Sequence, residues 1–351
     1  MAYTNVSKST AHFSTKAYTG NSGTQSITGI GFQPDMVWIK NRNDSNNQSH
    51  VLYDAVRGVT KYLQTNSSAA EATETSGVTT FGTDGFTVGN TVTVNTGFNY
   101  AAYCWKAGTG AGSSNTDGSI NTTTTSVNTT AGFSISKFTA TGSAATIGHG
   151  LGVKPKWIWV KRIDGTGAYQ VYHGDRGATK YQELNETQAE ASATNRWNDT
   201  EPTSSVFSIG NEWSNGHVLE AWCWAEKPGF SKFGSFKGTG NINDACFFYC
   251  GFKPAFIIIK KLSGAAWILM DNARPTVNGV SYQKNPRNYI FEVNTSNAEA
   301  TSSNYNVDFK ATGFKIKTTN AAFNTNGQEY VVMAFASEPL VGSNNVPSTA
   351  G

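Results

Sequence analysis

An all-β fold of three tandem β-sandwich, jelly-roll-like domains is what this 351-residue sequence predicts, and three observations predict it. One pattern of strands and turns recurs three times along the chain. Apolar residues either alternate with period two or run on continuously for a few residues, as strands do. Glycine is abundant, at 36 residues, while charged side chains make up only 15%, a composition that suits short strands joined by tight turns.

Each copy opens on a strand that ends at glycine: Phe13 to Gly20, Phe133 to Gly142 and Phe230 to Gly240. A proline follows thirteen or fourteen residues later, in the turns Gly31-Phe32-Gln33-Pro34, Gly152-Val153-Lys154-Pro155 and Gly251-Phe252-Lys253-Pro254. Next comes an apolar strand ending in lysine: Met36 to Lys40, Trp157 to Lys161, Phe256 to Lys260. In the first two, Val37/Ile39 alternate with Trp38/Lys40, and Ile158/Val160 with Trp159/Lys161. The unbroken runs Phe256 to Ile259 and Tyr330 to Phe335 predict strands buried on both faces. Tyr53-Asp54-Ala55-Val56-Arg57-Gly58 then answers to Tyr172-His173-Gly174-Asp175-Arg176-Gly177 and to Met270-Asp271-Asn272-Ala273-Arg274. Lys61-Tyr62, Lys180-Tyr181 and Asn288-Tyr289 follow, and after them Asn66 with Ala70-Glu71, Asn185 with Ala189-Glu190, and Asn294 with Ala298-Glu299. The segments Ser67 to Glu74, Thr187 to Thr194 and Ser296 to Thr301 predict a helical turn or loop at one end of each unit. Turn signals stand at Thr83-Asp84-Gly85, Asn215-Gly216, Asn278-Gly279 and Asn326-Gly327. Each copy closes on an aromatic strand: Tyr100 to Lys106, Val218 to Ala225, Tyr330 to Ala336.

These landmarks divide the chain into sandwich repeats at residues 1–107, 129–227 and 228–340, with a Gly/Ser/Thr/Asn-rich connector at 108–128 and a polar, extended tail at 341–351. Gly108 to Thr116 reads as a linker. The Thr-rich remainder of the connector predicts an extra strand pairing with the second repeat. The short junction Glu226-Lys227-Pro228 predicts that repeats two and three pack together.

Composition narrows function. Net charge is +3 with no Lys/Arg run, so the basic footprint of a nucleic-acid binder is missing. No stretch approaches a membrane span, and the start Met1-Ala2-Tyr3-Thr4-Asn5 is no signal peptide. A surface rich in amides and hydroxyls without an export signal fits a virus particle, assembled in the host cytoplasm and released by lysis. Four cysteines make no disulfide framework: Cys104 and Cys223 read as small buried hydrophobes, and Cys246 and Cys250 stand too far apart along one apolar run to bridge easily. No CxxC pair, HxH or HExxH spacing, GxSxG elbow or phosphate-binding loop is present, so no metal, cofactor or catalytic residue is predicted. The Asp54…Arg57 and Asp271…Arg274 pairs read as clamps on a turn. Four side chains stand as binding candidates: Trp197 and Trp213, whose rings lie in amide-rich segments and could stack on sugars, and Asp199 and Glu201, the one close acid pair beside an aromatic.

The landmarks resemble a tandem β-domain family of bacteriophage virion proteins, often labelled tail-fibre or structural proteins and found especially in marine phages. The resemblance rests on Gly31 to Lys40, Tyr103-Cys104-Trp105-Lys106-Ala107-Gly108, His149 to Lys156, Thr203 to Ser208, Gly229 to Ser235 and the ending Ser337 to Gly342. The third copy departs from it, with Ala334 and Phe335 where the others close on Cys and Trp. The resemblance implies a non-enzymatic virion structural protein: a tail fibre, tail-associated or adhesion component for host attachment, touching host glycans or other virion proteins and built as a homo-oligomer, a trimer by expectation. The alternatives are a capsid decoration protein and a polysaccharide-binding or depolymerising protein.

Overall fold

Strands form where the sequence alternates, and helix among the described residues is confined to single turns. The computed structural model describes residues 4–274 and 285–339, and the chain is all-β. The first repeat holds β1 (Phe13–Thr19), β2 (Gln25–Thr28), β3 (Met36–Asn41), β4 (Val51–Asp54), β5 (Lys61–Gln64), β6 (Ala72–Thr73), β7 (Val78–Gly82), β8 (Gly85–Val88) and β9 (Asn99–Trp105). After β10 (Thr124–Asn128), the second holds β11 (Phe133–Thr139), β12 (Ala145–Gly148), β13 (Trp157–Arg162), β14 (Gln170–His173), β15 (Lys180–Glu183), β16 (Ala191–Ser192), β17 (Val206–Ile209) and β18 (Val218–Trp224). The third holds β19 (Ser231–Lys237), β20 (Phe247–Tyr249), β21 (Phe252–Lys261), β22 (Trp267–Asp271), β23 (Tyr289–Glu292), β24 (Ala300–Thr301), β25 (Val307–Lys310), β26 (Gly313–Ile316) and β27 (Glu329–Pro339). The turn at Asn278-Gly279 and the tail at 341–351 lie outside the described residues.

One antiparallel topology serves all three repeats. The large sheets run β1-β9-β3-β4-β5-β6, β11-β18-β13-β14-β15-β16 and β19-β27-β21-β22-β23-β24, and β10 adds to β11. A small sheet faces each: β2-β8-β7, β12-β17 and β20-β26-β25. The second repeat has no strand matching β7, and its single helical turn, Thr194–Trp197, matches the turn that precedes β7: Gly210 N donates to Arg196 O as Gly89 N does to Gly77 O.

The large sheets are buried on both faces. Because side chains alternate across a strand, each sheet presents two apolar sets. Val37, Ile39, Tyr100, Ala102 and Cys104 pack under the small sheet of the first repeat. Ile158, Val160, Ala221 and Cys223 do so in the second, and Ile257, Ile259, Val332 and Ala334 in the third. The opposite faces carry Trp38, Trp105, Trp157, Trp159, Trp222, Trp224, Phe256 and Phe335, and all of these belong to one cluster shared by the three repeats. The repeats are therefore not strung out as beads. Their large sheets look inward on a common aromatic core, where Trp38 meets Trp159 edge-on at 5.8 Å and Trp105 meets Trp224 at 6.4 Å and Phe256 at 5.6 Å. The third seam is closed by Trp157 against Trp267 at 6.0 Å.

The seams between repeats are copies of one another, and they close into a ring. The backbone N–H of Glu71 donates to Ile163 O, that of Glu190 to Leu262 O, and that of Glu299 to Arg42 O, at 2.9, 2.8 and 2.8 Å. The recurring Ala-Glu is thus a fastener from each repeat to the next, and the last step returns to the first. The segments sequence reasoning gave to a helical turn or loop are extended loops leading into β6, β16 and β24. They lie over the neighbouring repeat, because their carbonyls face its strand-ending lysine. Lys161 Nζ donates to Ser68 O at 3.0 Å, Lys260 Nζ to Glu186 O at 3.3 Å and Lys40 Nζ to Ser296 O at 2.8 Å. Each ammonium also bonds a carbonyl of its own repeat, at Arg162, Ala265 and Gln48 respectively. Burial lowers all three ammonium groups to about 8. A head-to-tail contact that closes after three steps is the geometry of a cyclic trimer, here built within one chain.

Removing such a lysine strands two buried carbonyls, each costing about 1–3 kcal/mol when left without a donor. Lys161→Met is accordingly expected to lower unfolding free energy by about 2–4 kcal/mol, read as a fall in the urea midpoint.

The connector is not a free tether. The Asp35 carboxylate accepts the N–H groups of Ala107, Thr109 and Gly110 at 2.7, 3.0 and 2.6 Å, and Gly108 N donates to Ser126 Oγ at 2.9 Å. β10 pairs with β11 from Thr124↔Lys137 to Asn128↔Phe133, and Ile120 bridges Ile147 of β12. The segment looked like a linker because its residues are small and polar; a buried carboxylate folds it down. Asp35→Ala removes all three acceptor contacts, and a loss of about 2–3 kcal/mol with faster proteolysis near Gly110 is expected.

Candidate functional site

A site special to one place must lie where the copies differ, and the small sheets differ most visibly. Register fixes the correspondence. Ile27 pairs with Phe86, Ile147 with Phe207 and Phe248 with Phe314, each inside its own core. The residues on either side point the other way, outward. They are Ser26 and Thr28 in the first repeat, Thr146 and Gly148 in the second, and Phe247 and Tyr249 in the third. In the second repeat the connector covers this face, with Ser119 N bonded to Thr146 Oγ1 at 2.8 Å. In the third the two rings stand in solvent, 44% and 58% exposed. Gly313 lies across from Tyr249, and the Phe247 ring lies over it: a Cβ there would come within 3.1 Å of Phe247 Cζ. The nearer obstacle is backbone: the same Cβ would lie 2.0 Å from Phe248 O, as one at the matching Gly85 would lie 1.9 Å from Ile27 O, so this glycine serves strand pairing in both repeats.

An open groove of about 390 Å³ runs beside these rings, between β19 and β20 and against the second repeat. Its walls carry four charged side chains among aromatic ones. Lys232 Nζ pairs with Glu226 Oε1 at 2.8 Å, and Lys156 Nζ stands 4.0 Å from Asp175 Oδ1. Glu226 Oε2 accepts Phe233 N at 3.2 Å, and Asp175 Oδ2 accepts the Ser235 hydroxyl at 3.0 Å. The two cations and two carboxylates balance. Burial raises the Cys246 thiol, so it lines the groove as a neutral group. Surface pairs of this kind hold geometry weakly and can exchange partners with an arriving hydroxyl.

The residues named from sequence fall elsewhere. Trp197 and Trp213 are 2% and 6% exposed and pack in the core of the second repeat, Trp197 edge-on to Tyr172 at 5.8 Å. Neither ring offers a face to a sugar, because both cover the end of their own sandwich. Asp199 is exposed at φ +46. Glu201 fastens a loop: its carboxylate accepts Lys154 Nζ, the Tyr172 hydroxyl and the Ala178 N–H, each at 2.7 Å. Partial burial alone would raise that carboxyl, but these three donors outweigh it and hold it below the usual range. A general acid needs the opposite shift. The Asp–Arg pairs are clamps: Arg57 Nε meets Asp54 Oδ2 at 2.7 Å and its NH2 group reaches Leu52 O at 2.9 Å, and Arg274 repeats both contacts with Asp271 and Leu269. Among the described residues the four cysteines are free, and no group of three His, Cys, Asp or Glu side chains could hold a metal ion. No helix among them is long and apolar enough to cross a membrane.

Sequence reasoning missed Phe247 and Tyr249 because they sit inside one apolar run ending at Cys250. The signal was available in the comparison of copies, where Ser26 and Thr28, or Thr146 and Gly148, give way to rings.

Comparison with known proteins gives one family. The signature described as "Domain of unknown function (DUF7483)" matches residues 8–339, which takes in all three repeats. No curated protein matches the chain.

Proposed function

The chain belongs to the DUF7483 domain family, and we propose that in this member the closed ring of repeats is a rigid, non-enzymatic display body of a bacteriophage particle, carried on the tail and used in attachment. What supports this reading above all is how the recurring polar residues are used. The Asp–Arg clamps, the Ala-Glu fasteners and the strand-ending lysines hold seams and turns. Among the described residues, one feature present in a single repeat and open to solvent is a pair of aromatic rings beside a charge-balanced groove, which suits touching more than reacting. The resemblance of its landmarks to those of virion proteins supports a phage as the carrier of such a body.

Three seams closed inside one chain give a body that is already threefold in outline. It would seat on a threefold axis without further copies at those seams, and the homo-oligomer expected of a fibre would form through other surfaces. The test is mass spectrometry and antibody-gold imaging of particles produced from the genome that encodes the chain. Label at the tail, at a few copies per particle, is expected; label over the head assigns a capsid decoration role; absence from purified particles overturns the reading.

A further inference from the structure

We propose that the Phe247–Tyr249 face of the third repeat is a carbohydrate platform that binds a neutral pyranose polysaccharide. The proposal rests on the display reading above and names what the displayed surface holds. Two rings two residues apart on one strand face the same way, roughly 6.5–7 Å apart along the chain. That lets each lie under a separate sugar ring, with the apolar C–H faces of the pyranoses against the aromatic faces. Gly313 lies across from Tyr249 on the neighbouring strand, beneath the Phe247 ring. The neighbouring groove supplies what sugar hydroxyls need: carboxylate acceptors at Glu226 and Asp175, ammonium donors at Lys232 and Lys156, and a hydroxyl at Ser235. Their charges cancel, which favours a neutral chain over an acidic one.

A protein partner fits this face less well. Standard interfaces bury about 800 Å² on each side through some 20–30 residues. Among the described residues of the third repeat, the exposed large apolar side chains are Ile242, Phe247 and Tyr249. Addition of a partner strand to β19 is opposed by the Glu226 carboxylate, which already occupies Phe233 N, and by Lys232 and Lys237 on that strand. Nor are the rings explained by the fold, since two other copies build the same small sheet with Ser26 and Thr28 or with Thr146 and Gly148 in these places.

The experiment is native affinity electrophoresis of the full chain in gels cast with dextran, pullulan, laminarin, galactomannan or xylan. Phe247→Ser/Tyr249→Thr, which installs the residues of the first repeat, is run beside it, with urea midpoints to show that both forms are folded. The unsubstituted chain is expected to be retarded by at least one polymer, with apparent affinity falling at least tenfold in the double variant. Retardation by none of the five, or retardation that survives the double substitution, overturns the proposal. Docking to phage particles that is lost in the double variant, with no gel retarding either form, assigns the face to a protein contact and overturns it too. Either failure leaves particle labelling, and so the display reading, standing; absence of label would remove that reading without touching the gel result.

Discussion

Trp105→Ala is expected to destabilise the whole chain by about 3–5 kcal/mol, the range for deleting a large aromatic from a packed core. The loss should appear in a single transition. Trp105 belongs to the first repeat, yet it lies against Trp224 of the second and Phe256 and Phe335 of the third, the last at 5.7 Å. A cavity at that point removes contacts from all three sheets at once. In urea, tryptophan fluorescence and circular dichroism should therefore shift together to a lower midpoint. Three independent sandwiches would instead show one weakened transition and two unchanged ones. Excision makes the same point more severely. Residues 129–227 alone would expose Trp157, Trp159, Trp222 and Trp224, which are 0–1% exposed in the chain. At about 150–250 Å² per ring that is an apolar patch well beyond what a soluble monomer carries. Gel filtration of the excised repeat should find aggregate, or a trimer that rebuilds the ring from three copies, and no folded monomer.

Much of this was legible in the sequence, and what was not has a physical reason. The strands lie where period-two runs and the recurring glycines and prolines put them, because alternation and turn chemistry are local. Burial on both faces was legible for β21 and β27, whose runs are unbroken. It was hidden in β3 and β13, where Lys40 and Lys161 close the tryptophan face. Nothing local shows that those ammonium groups are bonded to carbonyls of two repeats, since the partner loops lie more than 90 residues away in sequence or more. The shared core was hidden for the same reason: hydrophobicity tells that a face is buried, not which sheet buries it. The candidate site failed on orientation. Trp197 and Trp213 sit among polar neighbours but point inward, whereas Phe247 and Phe248 are chemically alike and only the register with Lys315 and Phe314 decides which one meets solvent.

Arg57 should prove as costly to remove as the core tryptophan, and its partner Glu220 should prove better replaced. Asp54, Arg57 and Glu220 have fully buried side chains, and Arg57 Nε lies 2.7 Å from both Asp54 Oδ2 and Glu220 Oε2 across the seam between the first two repeats. One guanidinium thus faces two carboxyl groups, with Glu71 3.9 Å from its NH1 group and Tyr169 nearby. Arg57→Met leaves Asp54 buried without a cation and is expected to cost about 3–5 kcal/mol. Glu220 is different, because burial first and the Asp54 charge second push its carboxyl well above the usual range, against the pull of Arg57. The folded chain therefore holds Glu220 protonated at pH values where the unfolded chain has released that proton. Stability from this group is complete below about pH 4.3, where both states are protonated, and is lost as pH rises above it. Glu220→Gln keeps a neutral donor toward Asp54 and never ionises. It should match the parent near pH 4 and exceed it at pH 7.5 by on the order of 1–3 kcal/mol, the gap widening with pH between the two. Urea midpoints of parent and variant across pH 4 to 8 measure that gap directly. A gap that is constant with pH, or that favours the parent at pH 7.5, would mean that Glu220 is ionised in the fold and that Arg57 neutralises both carboxylates.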